Sequence, residues 1–409
     1  MRAPDRFRFR PPHLALDRET RWCLLRAFGP AHQPVEREPL DPSRVLAVAA
    51  PLSAGARIAA RIPLAVLQAE LGPDAARQLL ITQALTQAVT SRILNVAREV
   101  ATCLESLGAR GALLKGTALV ATGTADAASR SITDLDVLVT SETAQELQRI
   151  LRERGFTPWD VPPTEHHAVP LSRGKSDMIE LHSALLGVRL NPGDRWADLP
   201  ALEAAGRIVP LVGWPASIVV PDRDVMLAHI LVHGLAQHGL SPDKYPLARM
   251  LQDLVDLGFQ GIGDRDLERV GAMIADDVSI RELRATRDLC AALVAGDPSL
   301  PRVEASDATL LLRHVLAGAL DPPYTQALRL RSIAEFPSSG VRGAIRMLTG
   351  AIWLTRGQVD VIYGPQRSWA GYALLRLWRP FDLVRRAIRY ALAARALNRS
   401  TQPHTKPPE

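Results

Sequence analysis

A chain of 409 residues, 47% hydrophobic and 22% charged, is long enough for two or three domains that each bury a core. Its three cysteines, Cys23, Cys103 and Cys290, are far apart and odd in number, which excludes a disulfide framework and a cysteine-rich zinc module and fits a reducing compartment. The net charge of +6 comes mainly from arginine and suits anionic ligands without naming one.

Residues 1–56 are rich in Pro and Arg and are expected to be only partly ordered. The opening MRAPDRFRFRPPHLALD is basic with no apolar run behind it, so no secretory leader is expected. The chain also lacks a run of about 18 uncharged apolar residues, and the expected location is the cytoplasm. Over 57–108 apolar residues recur at three- and four-residue intervals, as in AARQLLITQALTQAVTSRILNVAREVATCLESLG, a helical period that stops at Gly108.

The period changes over 109–220. GALLKGTALV (111–120) reads as a short strand, a Lys-Gly turn and the start of a helix; ITDLDVLV (132–139) reads as a second strand. Ser141 is placed to cap the helix ETAQELQRILRERG, and MIELHSAL (178–185) reads as a third strand after a polar loop over 158–176. Helical periods return over 221–340, first in DRDVMLAHILVHGLAQHG and then in PLARMLQDLVDLG, and continue to about residue 335. A basic, aromatic tail occupies 341–409. The fold class expected is α+β: a small mixed-sheet core flanked by N-terminal helices and a C-terminal helical region.

Two aspartates inside an apolar strand need a reason, because burying one carboxylate costs several kcal/mol unless it is paired or metal-bound. Residues i and i+2 of a strand share a face, so Asp134 and Asp136 point together, and a divalent cation between them would relieve their repulsion. Glu180 offers a third carboxylate, also inside an apolar strand. If the two strands are neighbours, three carboxylates converge, and two ions about 3.5–4 Å apart could then serve an attacking and a leaving oxygen. Gly116, at a strand-to-helix turn, would let backbone approach a phosphate, with Lys115 adding charge and Thr117 a hydroxyl. Arg130 would bind phosphate or neutralise the carboxylates. A D-x-D or a Lys-Gly turn alone is a weak signal. Their order, each in its own apolar strand of one α/β unit, carries the reading.

Together, GARGALLKGTALV, ASRSITDLDVLVTSE and DMIELHSAL resemble the uncharacterised bacterial nucleotidyltransferase family of the DNA-polymerase-β-like superfamily. The resemblance covers residues 80–260 and extends to His182, with Ser183 standing where the family often has an aromatic residue. It also takes in the helical region that holds His233, His238, Arg249 and Asp253. It implies a nucleotidyltransferase core in which Asp134, Asp136 and Glu180 hold Mg2+, two ions, and Lys115, Gly116, Thr117 and Arg130 face the nucleotide. It further implies transfer of a nucleotidyl group, AMP from ATP above all, to a hydroxyl of an acceptor that the sequence leaves unidentified. His182, His233 and His238 are candidates for the acceptor side. The alternative is a catalytically silent relative that binds nucleotide or a partner protein. A D-x-D glycosyltransferase is disfavoured because helices, not a nucleotide-binding α/β region, precede Gly111.

His229, His233 and His238 invite a zinc reading, since histidines one helical turn apart share a helix face, but the surrounding apolar residues favour core histidines. The segment 374–399 carries seven arginines and one acid, Asp382, together with Trp378, Phe381 and Tyr390. A docked helix with a solvated basic face is the favoured reading, ahead of contact with an anionic membrane surface. No stable nucleic-acid partner is expected.

Overall fold

Aspartates start the first two helices. Asp17 accepts the Thr20 amide at the head of α1 (Arg18–Phe28), and Asp41 accepts those of Ser43 and Arg44 at the head of α2 (Pro42–Ala49). Both helices stand in the segment expected to be only partly ordered. The computed structural model describes residues 16–31, 39–159, 167–174, 176–191, 193–237, 247–274, 278–297, 306–321, 368–382 and 385. The helical region read over 57–108 is a pair, α3 (Gly55–Arg61) and α4 (Leu64–Ser106). A kink at Gly72–Pro73 bends α4, since proline lacks a backbone donor and crowds the preceding turn.

The core follows in the order β1 (Gly111–Leu113), α5 (Lys115–Ala121), β2 (Leu135–Leu138), α6 (Ser141–Glu153), β3 (Thr157–Pro158), β4 (Leu171–Arg173), β5 (Asp177–His182), α7 (Leu199–Ala204), β6 (Ile208–Pro210) and β7 (Ile218–Pro221). These strands form a seven-stranded mixed sheet in the order β3-β4-β5-β2-β1-β7-β6. The expected α+β mixed-sheet core is therefore present. β2 runs parallel to β5 and antiparallel to β1, which in turn runs parallel to β7. Two details differ from the sequence expectation. The α6 cap is Thr140, whose hydroxyl accepts the Thr143 amide, rather than Ser141. The stretch 158–176, read as loop, contributes to β3 and contains β4, which are too short to show an alternating period.

Helix α4 packs against β2 and β5. Beneath it, a Cβ on Gly111 would meet both Leu104 and Val137, so the Val137 face of β2 is the face that α4 covers. Strand alternation turns Asp136 to the opposite face.

The helical region comprises α8 (Arg223–Leu231), α9 (Leu247–Asp256), α10 (Asp264–Met273), α11 (Ile280–Ala295) and α12 (Asp307–Leu320). The long helix expected across 222–239 changes character after Leu231 and continues as a π-helix, Val232–Gln237. Met250 of α9 lies so close to Gly234 that any Cβ there would collide with it. Close approach of α9 and the wider π turn thus occur at one place. Helices are described as far as Leu320, and the expected continuation to residue 335 lies outside the described residues.

Most of the basic tail, including Tyr390, also lies outside them. What is described is a helix over 369–382 that runs through Pro380, with Trp378 and Phe381 exposed. No helix among the described residues is long and apolar enough to cross a membrane.

Candidate active site

The register of β2 on β5 puts Asp136 directly beside Glu180, and the strands bring Leu138 beside His182. Asp134 immediately precedes β2, whose regular part begins at Leu135 rather than at Ile132 as the sequence reading has it. One carboxylate oxygen from each of Asp134, Asp136 and Glu180 lies within 4.8 Å of the others. The three acids singled out in the sequence are one cluster.

The cluster is partly buried and carries unequal charges. Asp136 is 3% exposed and accepts two hydrogen bonds on Oδ1, from Lys115 Nζ at 2.9 Å and His182 Nε2 at 2.7 Å. Burial pushes the Asp136 carboxyl up, but the Lys115 charge and the His182 hydrogen bond outweigh it and hold the group below the usual carboxylate range. Burial disfavours the Lys115 cation, yet the charges of Asp136 and Asp134 keep its amine above the ordinary value. Burial dominates at His182 and lowers it, so its contact with Asp136 is a hydrogen bond from a neutral ring rather than an ion pair. Asp134 and Glu180 show the opposite response to Asp136. Burial first, then the Asp136 charge, raises Asp134. The same two causes, with Asp134 added, push Glu180 up to about 7. Three acids around one lysine leave negative charge that a divalent cation would neutralise, with oxygen donors of the kind Mg2+ takes. The residues present fit the metal.

The Lys-Gly turn divides its work between its two residues. The left-handed backbone falls on Lys115, at φ +48°, a conformation that disfavours a side chain. It starts α5 and aims the amine at Asp136. Gly116 is needed instead for close approach: a Cβ there would sit 3.0 Å from Nη2 and 3.1 Å from Cζ of Arg130. Gly116→Ala is therefore expected to lower stability by ~1–3 kcal/mol in chemical denaturation, the usual cost of overpacking. A loss near zero would mean that the guanidinium moves aside freely. Thr117 is 1% exposed, and its buried hydroxyl has no hydrogen-bond partner among the described residues.

Arg130 is buried against α9. It is 4% exposed, and its Nε and Nη2 grip Asp253 of α9 at 2.5 and 2.9 Å, while Nη1 donates to the Ser131 carbonyl. Thr90 of α4 donates to the Arg130 carbonyl at 2.8 Å. This arginine thus ties the turn before β2 to both flanking helical regions.

A family model described as uncharacterised nucleotidyltransferase matches residues 38–260, more than half of the chain. The chain belongs to that nucleotidyltransferase family. A search of the curated proteins finds no match. The match spans the whole sheet and the Asp134, Asp136 and Glu180 cluster of this nucleotidyltransferase, and it ends just beyond α9.

The remaining predicted residues are dispersed. His182 belongs to the carboxylate cluster itself. His233 lies on the π-helix, its ring 6.1 Å from that of His229. His229 is buried, and burial, with the nearby Lys115 charge, pushes its imidazole down to about 3, so it stays neutral. His238 lies outside the described residues.

Two features escaped the sequence reading. His167 packs against His182, with ring centroids 4.1 Å apart and the planes tilted by 54°. It lies in the stretch read as loop, where no period marks it. An open cavity enclosing about 690 Å3 of space lies between α2, α3, α4 and α9. Ser129, Ser131, Arg249 and Gln252 are among its polar lining residues, and the Arg249 charge acts on Asp134.

Proposed function

We propose that this nucleotidyltransferase is Mg2+-dependent and moves the nucleotidyl group of an NTP, AMP from ATP, to a hydroxyl of a small acceptor. The observation that carries the reading is the register pairing of Asp136 with Glu180, which closes the three-carboxylate cluster with Asp134 on one face of the sheet. When bound there, Mg2+ would screen phosphate charge and stabilise the attacking and departing oxygens.

The chain's own residues take the following parts. Asp134 and Asp136 hold the cation, and Lys115 stands ready to meet phosphate charge from the Asp136 side. The acceptor oxygen forms the new bond to the α-phosphorus as the bond to the β-phosphate breaks, and pyrophosphate departs. The acceptor proton passes to Glu180, whose elevated value suits a general base at neutral pH. The cavity edged by Ser129, Ser131 and Arg249, whose charge reaches Asp134, would take the acceptor.

The deciding experiment incubates the protein with NTPs labelled at the α-phosphate, Mg2+ and a lysate of its host. Label transferred to an acceptor with release of pyrophosphate supports the reading. Labelled NTP that survives untouched, with and without Mg2+, opposes it.

A pH dependence follows from Glu180. Its folded value lies above the ordinary one, so below about 7 it is protonated and lost both as a cation ligand and as a base. The Mg2+ concentration for half-maximal transfer is expected to rise as pH falls below 7, and saturating Mg2+ should move the acid limb to lower pH. Rates measured from pH 5 to 8 at two Mg2+ concentrations would show this. An acid limb that ignores Mg2+ would remove Glu180 from the site.

A further inference from the structure

One face of the sheet carries more than the three acids. His167 bridges to His182 in antiparallel register, just as Glu180 and His182 follow each other at i and i+2 on β5. Partners across neighbouring strands share a face, so His167, His182, Glu180 and Asp136 form a continuous strip. A donor atom from each of His167, Glu180 and His182 lies within 4.8 Å of the others. Glu180 belongs to this trio and to the carboxylate trio alike.

The His182–Asp136 contact supports a metal-binding role for the ring. An ionised carboxylate only accepts, so His182 donates from Nε2 and its Nδ1 carries the lone pair. A histidine that binds a metal through one nitrogen commonly donates the other N–H to a carboxylate, which fixes tautomer and ring orientation. Two imidazoles and one carboxylate suit a borderline ion such as Zn2+, whereas Mg2+ prefers oxygen donors throughout.

We propose that His167, Glu180 and His182 form a second cation site, for Zn2+, beside the carboxylate site and joined to it through Glu180. The two positions then differ in kind, one all-oxygen and one mixed nitrogen and oxygen. The inference deepens the proposed function, because it gives the metal centre a fixed second ion, but Zn2+ binding can be read without catalysis.

The test strips the full chain of metal and measures Zn2+ binding by equilibrium dialysis in millimolar Mg2+. Wild type should retain Zn2+, and His167→Ala should weaken it by ~10–100-fold, as loss of one site partner does. Asp134→Asn, which touches only the carboxylate trio, should leave Zn2+ affinity nearly unchanged. Co2+ in place of Zn2+ should give visible bands that shift in His167→Ala. His167→Gln, which keeps a polar side chain of similar size, guards against a folding defect, and melting curves of both variants accompany the dialysis. Equal Zn2+ affinity in wild type and the His167 variants would overturn the inference. So would an equal loss in Asp134→Asn and His167→Ala, which would put all Zn2+ at the carboxylates. Mg2+-dependent transfer without histidine-dependent Zn2+ binding defeats this inference alone. Histidine-dependent Zn2+ binding without transfer leaves it standing and removes the proposed function.

Discussion

Asp134→Asn is expected to reduce nucleotidyl transfer by ~10^3-fold or more, because several kcal/mol of charge stabilisation at the metal is lost. The melting temperature should stay level or rise. Burial and the neighbouring Asp136 both disfavour the Asp134 charge, and the amide removes that repulsion. Asp136→Asn is a less clean experiment although it removes an equally important ligand. Asp136 is the acceptor for Lys115 and His182, so its loss deprives a buried ammonium of its hydrogen-bonded counter-charge, at ~3–5 kcal/mol of stability. Activity and melting temperature should therefore separate at position 134 and fall together at 136. A fully active Asp134→Asn enzyme, or two variants with the same thermal loss, would contradict the proposed division of roles.

Asp253→Ala should be among the most destabilising substitutions in the protein, at ~3–5 kcal/mol, because it removes the carboxylate that the buried Arg130 guanidinium grips through two nitrogens. The pair is almost fully enclosed, with Arg130 4% and Asp253 0% exposed, and it clamps α9 to the turn before β2. Guanidinium unfolding of Asp253→Ala, and of the double variant Arg130→Met with Asp253→Leu, would resolve the cause. An apolar pair of similar volume should recover most of the loss, since desolvated ion pairs often contribute little net stability. Transfer activity should remain low in the double variant if Arg130 also positions the Gly116 turn, which lies against its guanidinium. If Asp253→Ala loses less than about 1 kcal/mol, the clamp is an exposed pair in solution.

Much of the site was legible because its signals are local. The i, i+2 spacing of Asp134 and Asp136 fixes a shared face within one strand, and MIELH carries Glu180 and His182 in the same way. The helical period of 57–108 and the stop near Gly108 are likewise properties of neighbouring residues. Even so, local reasoning left the backbone state of the turn and the long-range partner of Arg130 unread. Lys115, not Gly116, holds the left-handed backbone, and Arg130 pairs with Asp253 more than a hundred positions away.

By itself, the sequence determined the α+β class, the three strands that bear chemistry and the acids on them, because period and spacing act over a few residues. Only the tertiary structure decided which strands are neighbours, and so which acids meet. The Asp136–Glu180 register, the packing of His167 against His182 and the wall that α2 and α3 lend to the cavity all join distant segments. Such contacts depend on how helices and strands pack when their apolar faces are buried together, and no spacing within one segment encodes them.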